Sequence, residues 1–499
     1  MKIWGLTFLF AATLFALAPS ARAHVGSKDV FETVQAGPYT LYVTIRPPLV
    51  IPGIATVEIR CEGAIVSAIS ITPLPVTGEA AKHPPASDAM QQNATDHAFF
   101  TGSVWIMAGG TWQVRMEVEG SAGHQIATVP VVAVPIAVLK MDRSLGIPLA
   151  LLGLFLVISL AAVIAASFRE ARLAPGAGVT ASLRRRGFIA FGAALAVLAF
   201  AVYGGGWWWN VEAADYADHV FVPAQIQARL SGSTLDLMIP LPPPEKFRRA
   251  RPLRKDSFLP DHGHLMHLYA IRWPQMDAAF HLHPTLVETQ DGRPDFREQL
   301  PAMPPGEYRL FGDVVHASGF PETLLATVAI PSGVSAAPLS PEDASAMPAP
   351  LSAGMLGTSY KLPDGYTMVW DKPAAITANT AYGFRFTLLD PTGKPTTDMQ
   401  PYLGMAGHAA FVKSDGTVFA HTHPDGSAAM PDVMLANESI GSTGSVPEMP
   451  GMDMSSMPMQ ISPTVTFPYG FPSSGRYRIF IQMKHGKTVE TGVFDVDVK

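Results

Sequence analysis

Apolar and polar residues alternate over Tyr39-Thr40-Leu41-Tyr42-Val43-Thr44-Ile45, Ala55-Thr56-Val57-Glu58-Ile59-Arg60 and Trp112-Gln113-Val114-Arg115-Met116-Glu117-Val118. A period of two bounded by Pro and Gly predicts short half-buried strands. Two later segments abandon that alternation. Leu145 to Ser167 is almost wholly apolar, and so is Phe188 to Tyr203 with its extension Gly204-Gly205-Gly206-Trp207-Trp208-Trp209. Each is about as long as a bilayer is thick when helical. Beyond residue 212 the alternation returns, as in Tyr308, Leu310, Gly312, Val314 and His316, or Tyr477, Ile479, Ile481, Met483 and His485.

Composition supports this division. A chain of 499 residues exceeds one core, and 45 prolines with 43 glycines favour turn-rich β-domains over bundles. The predicted class is mainly β: three immunoglobulin-like or cupredoxin-like sandwiches, with two transmembrane helices between the first and second. Residues 1–23 carry the marks of a secretory signal peptide, with Lys2, an apolar stretch from Trp4 to Leu17, and Ala21-Arg22-Ala23; an uncleaved anchor is the alternative. The expected order is then a β-sandwich over 24–138, helices at 145–167 and 188–209, a basic loop at 168–187, and two further domains at 212–331 and 357–499. The loop holds Arg169, Arg172, Arg184, Arg185 and Arg186 against Glu170 alone, which places it in the cytoplasm by the positive-inside rule. The expected location is the inner (plasma) membrane, crossed twice, with both large regions in the periplasm or cell exterior. Neither apolar stretch carries an ionisable residue, so the helices read as an anchor rather than an ion path.

A net charge of −6 without a long basic run argues against nucleic acid as a partner. The lone Cys61 excludes an intramolecular disulfide and any Cys-based metal cluster. A metal site would have to use His, Met, Asp or Glu. Signal cleavage would expose His24 as the mature N-terminus, whose amine and imidazole could chelate copper with His97 or His124 completing a brace; the alternative is a frayed first residue.

The C-terminal half contains an internal repeat. His267-Leu268-Tyr269-Ala270-Ile271-Arg272 followed by Phe280-His281-Leu282-His283-Pro284 recurs as His408-Ala409-Ala410-Phe411-Val412-Lys413 followed by Ala420-His421-Thr422-His423-Pro424. Downstream, Gly306-Glu307-Tyr308-Arg309-Leu310-Phe311 matches Gly475-Arg476-Tyr477-Arg478-Ile479-Phe480, and each copy places a His ten residues after its Gly, His316 and His485. Both copies close on a strand, and the Ser-, Ala- and Pro-rich 332–356 between them reads as a linker.

Residues i and i+2 of a strand share a face, so each His-x-His-Pro motif offers two imidazoles together, and the Pro stiffens the strand exit. The predicted ligand sets are His267, His281, His283 and His316 in one copy and His408, His421, His423 and His485 in the other. His264 is a further candidate for the first. Converging neutral imidazoles suit Cu(II), Zn(II) or Ni(II); the alternative is that these His make ordinary core hydrogen bonds. The 449–459 stretch adds Met449, Met452, Met454, Met457 and Met459 among Pro, Gly and Ser. Thioethers are soft donors for Cu(I), which tilts the expectation to copper, with zinc or nickel as alternatives; an unstructured loop with incidental Met is the other reading.

The last domain resembles small secreted bacterial domains that combine a Gly-His strand start, a His-x-His-Pro turn and a Gly-x-Tyr-x-Ile/Leu-Phe strand, here Gly407-His408, His421-Thr422-His423-Pro424 and Gly475 to Phe480. The first domain resembles the YtkA-like extracytoplasmic sandwiches through Pro38-Tyr39-Thr40-Leu41-Tyr42-Val43 and Gly110-Thr111-Trp112-Gln113-Val114, and secreted CopC-type copper carriers through its His24. Asp96 and His97 are adjacent here, whereas the CopC family spaces them by one residue. What the resemblance implies is heavy-metal, especially copper, handling in the envelope. The leading expectation is therefore a copper-binding protein for tolerance or delivery, working with a copper transporter or carrier. A copper- or zinc-dependent enzyme and an adhesion or assembly module with structural His are the alternatives. No Gly-x-Ser-x-Gly elbow, His-Glu-x-x-His helix or phosphate loop favours the enzyme, and Asp313 is the one candidate base.

Overall fold

The computed structural model describes residues 24–25, 29–171, 173–174, 176–239, 257–288, 294–334, 336–438 and 461–499. The segment expected as a signal peptide, 1–23, and the Met-rich stretch at 449–459 lie outside these residues. The described chain is mainly β, in six sheets, with two long apolar helices.

Residues 134–221 form a unit of their own, containing α1 (Arg143–Glu170) and α2 (Ala181–Asp218). Asp142 caps α1 by accepting from the Ser144 N–H, and Thr180 caps α2 through the Leu183 N–H. Both helices present apolar side chains outward, including Leu151, Phe155, Phe200 and Trp207 to Trp209. They are long and apolar enough to cross a membrane. Arg184, Arg185 and Arg186, expected in the loop, instead occupy the first turns of α2, because Thr180 starts that helix several residues early.

The second unit holds everything else. In its N-terminal part, one sheet is built from Val30–Ala36, Tyr39–Arg46, Gly53–Gly63, Phe99–Ile106 and Gln91–Gln92, and a second from Gln125–Ala133, Gly110–Gly120, Val66–Pro75 and Asp88–Ala89. Their apolar faces share a core that includes Leu41, Ile59, Val104, Val114 and Val129.

Each repeat follows the same plan. In the first, the sheet of Phe258–Leu259, Gly306–His316, His267–Arg272, Ala279–Leu282 and Ala344–Ala346 shares a core with the sheet of Gln227–Ser231, Thr234–Met238, Pro294–Gln299 and Thr285–Glu288. In the second, Met399–Gln400, Gly475–His485, His408–Lys413 and Val418–Thr422 face the sheet of Ser359–Lys361, Thr367–Asp371, Tyr382–Leu389 and Thr464–Tyr469. Strands Pro321–Ile330 and Thr488–Val498 extend the two Gly-to-His strands.

A further core lies between the repeats. Tyr269, Ile271, Ala279 and Phe311 of the first pack against Ala410, Val412, Phe419, Phe480 and Val493 of the second. Strands His267–Arg272 and His408–Lys413 are therefore buried on both faces, which explains their continuous apolar sequence. Arg478 pins this interface. Fully buried, it pairs twice with Asp495 (2.8 and 2.9 Å) and donates across to the carbonyls of Met276 (2.6 Å) and Ala349 (2.9 Å). The segment expected as a linker is ordered at this seam. Ala344–Ala346 pairs with Ala279–His281 as an extra strand, small side chains fitting where the sheets close together.

Candidate metal centre

Two turns and four strands bring the histidines of both repeats to one place. Before each first strand stands the same tight turn. Asp261 and His264 bridge each other, as do Tyr402 and Met405, and the central residues have positive φ in both: His262 at 49° and Gly263 at 86°, Leu403 at 50° and Gly404 at 80°. This is the left-handed pair of a type I′ turn, and Gly at its second position carries the conformation without strain. His267 and His408 then begin their strands opposite Asp313 and Gln482 respectively. Parity puts His267, Tyr269, His281 and Asp313 on the face turned to the other repeat, and likewise His408, His421 and Gln482.

The result is one cluster of imidazoles in the seam. His267 Nδ1 lies 3.1 Å from His281 Nε2, and His408 Nδ1 lies 3.1 Å from His421 Nε2. Two ligands at the 2.0–2.1 Å of a metal–imidazole bond stand about 3.3 Å apart in a tetrahedral site, so both spacings suit a shared ion as well as a hydrogen bond. Across the seam, the His267 and His421 rings are 5.4 Å apart and His281 and His421 5.5 Å. His262 belongs to the first repeat but sits 4.8 Å from His423 and 5.3 Å from His408, ring to ring. Two trios within the cluster have ligand atoms mutually within 4.8 Å: His267, His281 and His283, and His262, His408 and His423; a third such group, Asp364, His485 and Glu490, lies outside it.

Outer contacts are exchanged between the repeats. His281 Nδ1 is 2.8 Å from Gln482 Oε1, and His421 Nδ1 is 3.4 Å from Asp313 Oδ2. Each His-x-His motif is thus oriented by the residue that faces the other repeat's first His. Orientation of a ligating His through its second nitrogen is the usual way such rings are fixed. His283 Nδ1 takes Asp343 Oδ1 (2.9 Å), His264 Nε2 lies 3.2 Å from Glu342, and His267 Nε2 donates to the Asp261 carbonyl (3.0 Å). Both Asp343 and Glu342 come from the segment expected as a linker.

Four nitrogens are left over. Nε2 of His262, His283, His408 and His423 is buried and has no hydrogen-bond partner among the described residues. An unpaired buried polar atom costs about 1–3 kcal/mol, and an ion or ordered water at these four would offset that cost. Burial, reinforced by the neighbouring imidazoles, holds His267, His281, His408 and His423 well below the ordinary His range, and burial lowers His262 and His283 too. The rings are neutral, the state that ligates.

The N-terminal part closes over the second motif. Thr33 N–H donates to Asp425 O (2.7 Å), Ser427 N–H to Phe31 O (2.9 Å), and Ala428 N–H to Glu32 Oε1 (2.6 Å). Burial raises Glu32 well above the usual carboxyl range. α3 (Met430–Glu438) follows, its Met430 N–H donating to Asp261 Oδ1 (3.2 Å), with Asp432 buried alongside and raised to about 8 by burial and by Asp261.

Of the predicted ligands, the structure brings together His267, His281, His283, His408, His421 and His423, with His264 stacked on His283 at 4.1 Å. It separates His316 and His485 from them. Both have the opposite strand parity to Asp313 and Gln482, so they point to their own repeat's core. There His316 Nε2 meets Glu322 (2.9 Å) beside Phe258, and His485 lies between Asp364 (2.7 Å) and Asp398 (3.5 Å) under Tyr366. The two four-His sets are thus replaced by one centre shared between the repeats. The backbone of His24 runs parallel to Val418, beside the second repeat. His124 is exposed and bound to Glu119 (2.7 Å). The five Met lie outside the described residues. Sequence reasoning missed His262, whose counterpart Leu403 hides it from a repeat comparison, and Gln482, which no motif marks.

Residues 360–499, the second repeat, match a family described as a domain of unknown function, DUF8832. No curated protein matches the chain. Among solved structures, an ice-binding bacterial adhesin of 1.5 MDa aligns at 8% identity over 93% of this chain and 100% of that one, with a TM-score of 0.15. A tandem repeat from the extending region of a large adhesion protein aligns at 7% over 90% and 71%, also at 0.15. An engineered protein aligns at 18% over 19% of this chain and 21% of its own, again at 0.15. Scores this low carry no inference about fold or function.

Proposed function

We propose that this chain is a membrane-anchored extracytoplasmic metal-binding protein that holds copper in the histidine cluster between its two repeats. The observation that carries the reading is the group of four buried, unpartnered Nε2 atoms among neutral imidazoles. All-imidazole donors put Cu(II) at the top of the divalent affinity order, and the Met stretch at 449–459 supplies soft donors for Cu(I). In this reading α1 and α2 cross the membrane. At 28 residues α1 spans about 42 Å, ample for a hydrocarbon core of about 30 Å. Three β-sandwich domains then stand outside, with Arg169 at the end of α1 and Arg184, Arg185 and Arg186 at the start of α2 on the cytoplasmic side. The work is copper tolerance or delivery, with a transporter or carrier as the partner.

The test is copper content. Full-length protein in detergent, exposed to Cu(II) and then desalted, should retain copper. The pair His283→Ala with His423→Ala, one open nitrogen from each half of the cluster, should retain little above background. Copper-free wild type, or equal retention by the variant, would overturn the proposal.

A further inference from the structure

The proposed centre has two unequal halves, and the inequality carries a consequence. Eight imidazoles surround it: His262, His264, His267, His281, His283, His408, His421 and His423. One ion takes four to six such donors, so the cluster exceeds what a single ion uses. Six of the eight fall into two trios, each compact enough to converge on an ion, while His264 and His421 belong to neither.

Their states differ. In the trio of His262, His408 and His423, all three Nε2 atoms are buried and unpartnered among the described residues. His262 Nε2 faces Asp261 Oδ1 at 3.6 Å, beyond hydrogen-bond reach, so an ion can enter without breaking a hydrogen bond. The other face of each of these rings is already held: His408 Nδ1 by His421, itself beside the Asp313 carboxylate, His262 by the Leu403 backbone and His423 by the Ala428 backbone. In the trio of His267, His281 and His283, only His283 Nε2 is open. His267 spends Nε2 on the Asp261 carbonyl and Nδ1 on His281, whose own Nδ1 meets the neutral Gln482. An ion entering there must displace the contact between His267 and His281.

Resting on the metal-binding reading above, we infer that the centre binds two ions in a fixed order, the first at His262, His408 and His423 and the second at His267, His281 and His283. The first site is composite. Its His262 comes from the repeat that does not supply the other two ligands. The reciprocal position holds Leu403, which has no donor to give, so the exchange runs one way. Only when both repeats are docked does the tight site exist, which makes the seam part of the metal's coordination.

The experiment is an equilibrium titration of Cu(II) into metal-free full-length protein in detergent, against a competing chelator. Wild type should take up two ions in two steps. His262→Leu installs the residue that the second repeat carries in the same turn at nearly the same φ, 50° against 49°, so the turn is kept. It should weaken the first step by about 100-fold or more, beyond the 10–100-fold usual for outer contacts, and leave the second. His283→Ala should do the reverse. Uptake of one ion only, or a tight step untouched by His262→Leu, would overturn the inference while leaving a metal-binding protein. Absence of any uptake by wild type would overturn both.

Discussion

The two faces of the His-bearing sheets show how one residue type is put to different ends. On the face between the repeats, imidazole meets imidazole: His267 with His281, His408 with His421, and His262 reaching across. On the opposite face of the same sheets, His316 and His485 end the strands Gly306–His316 and Gly475–His485 and meet carboxylates beside an aromatic ring. His316 Nε2 has its partner in Glu322, whereas His262, His283, His408 and His423, among other buried rings, keep Nε2 without a hydrogen bond. Chemistry is therefore assigned by the face and not by the residue.

The largest effect should separate the faces directly. His316→Ala combined with His485→Ala should retain as much copper as wild type after desalting, whereas His408→Ala with His423→Ala should lose the tightly held ion. Parallel loss in both double variants would erase the distinction between faces. Next comes the seam. Asp495→Asn leaves the buried Arg478 without its counter-charge, and breaking a buried pair in this way costs about 3–5 kcal/mol. The thermal midpoint of the full-length protein should fall clearly, and tight copper binding should fall with it, since His262 must stay docked. A loss of stability with affinity intact would show that the seam is not needed for the metal.

A smaller effect sharpens the comparison within the cluster. Asp313→Asn removes the carboxylate behind His421, the ring that holds His408, and, one step further out than a direct contact to a ligand, should weaken the first ion by less than about 10-fold. Smallest of all should be the response to mild acid. Burial depresses the pKa of six cluster imidazoles, so their neutral form persists below the ordinary value of about 6.5. Protons then compete with copper only at lower pH, and affinity should change little between pH 7.5 and 6.5. A fall that tracks an ordinary His titration would contradict the burial of these rings.

The strands, the repeat and the inward turn of His316 and His485 were legible from alternation alone. What parity could not say was which inward face mattered. Read from sequence, each repeat is its own domain with its own core, which joins His316 and His485 to the His-x-His pairs. The signal against this was present. His267-Leu268-Tyr269-Ala270-Ile271 and His408-Ala409-Ala410-Phe411-Val412 are apolar at both odd and even positions, as strands covered on both sides must be. A second covering layer could have been expected from them. Asp343 escaped because a Ser-, Ala- and Pro-rich stretch lacks the β-branched residues that advertise a strand, although Ala344–Ala346 pairs as one. His262 escaped because the repeat carries Leu403 at its place. The docking of Phe31, Glu32 and Thr33 on the second motif runs mainly through backbone groups, to which sequence is silent.

The claim at the centre of this account is that imidazoles from both repeats bind one metal centre. Electron paramagnetic resonance of the full-length protein loaded with one equivalent of Cu(II) tests it most directly. In a His283→Ala background, where the second site is disabled, the signal should carry nitrogen couplings from three imidazoles, one of which disappears on adding His262→Leu while the other two, from His408 and His423, remain. A spectrum dominated by oxygen donors, or one that His262→Leu leaves unchanged, would contradict it.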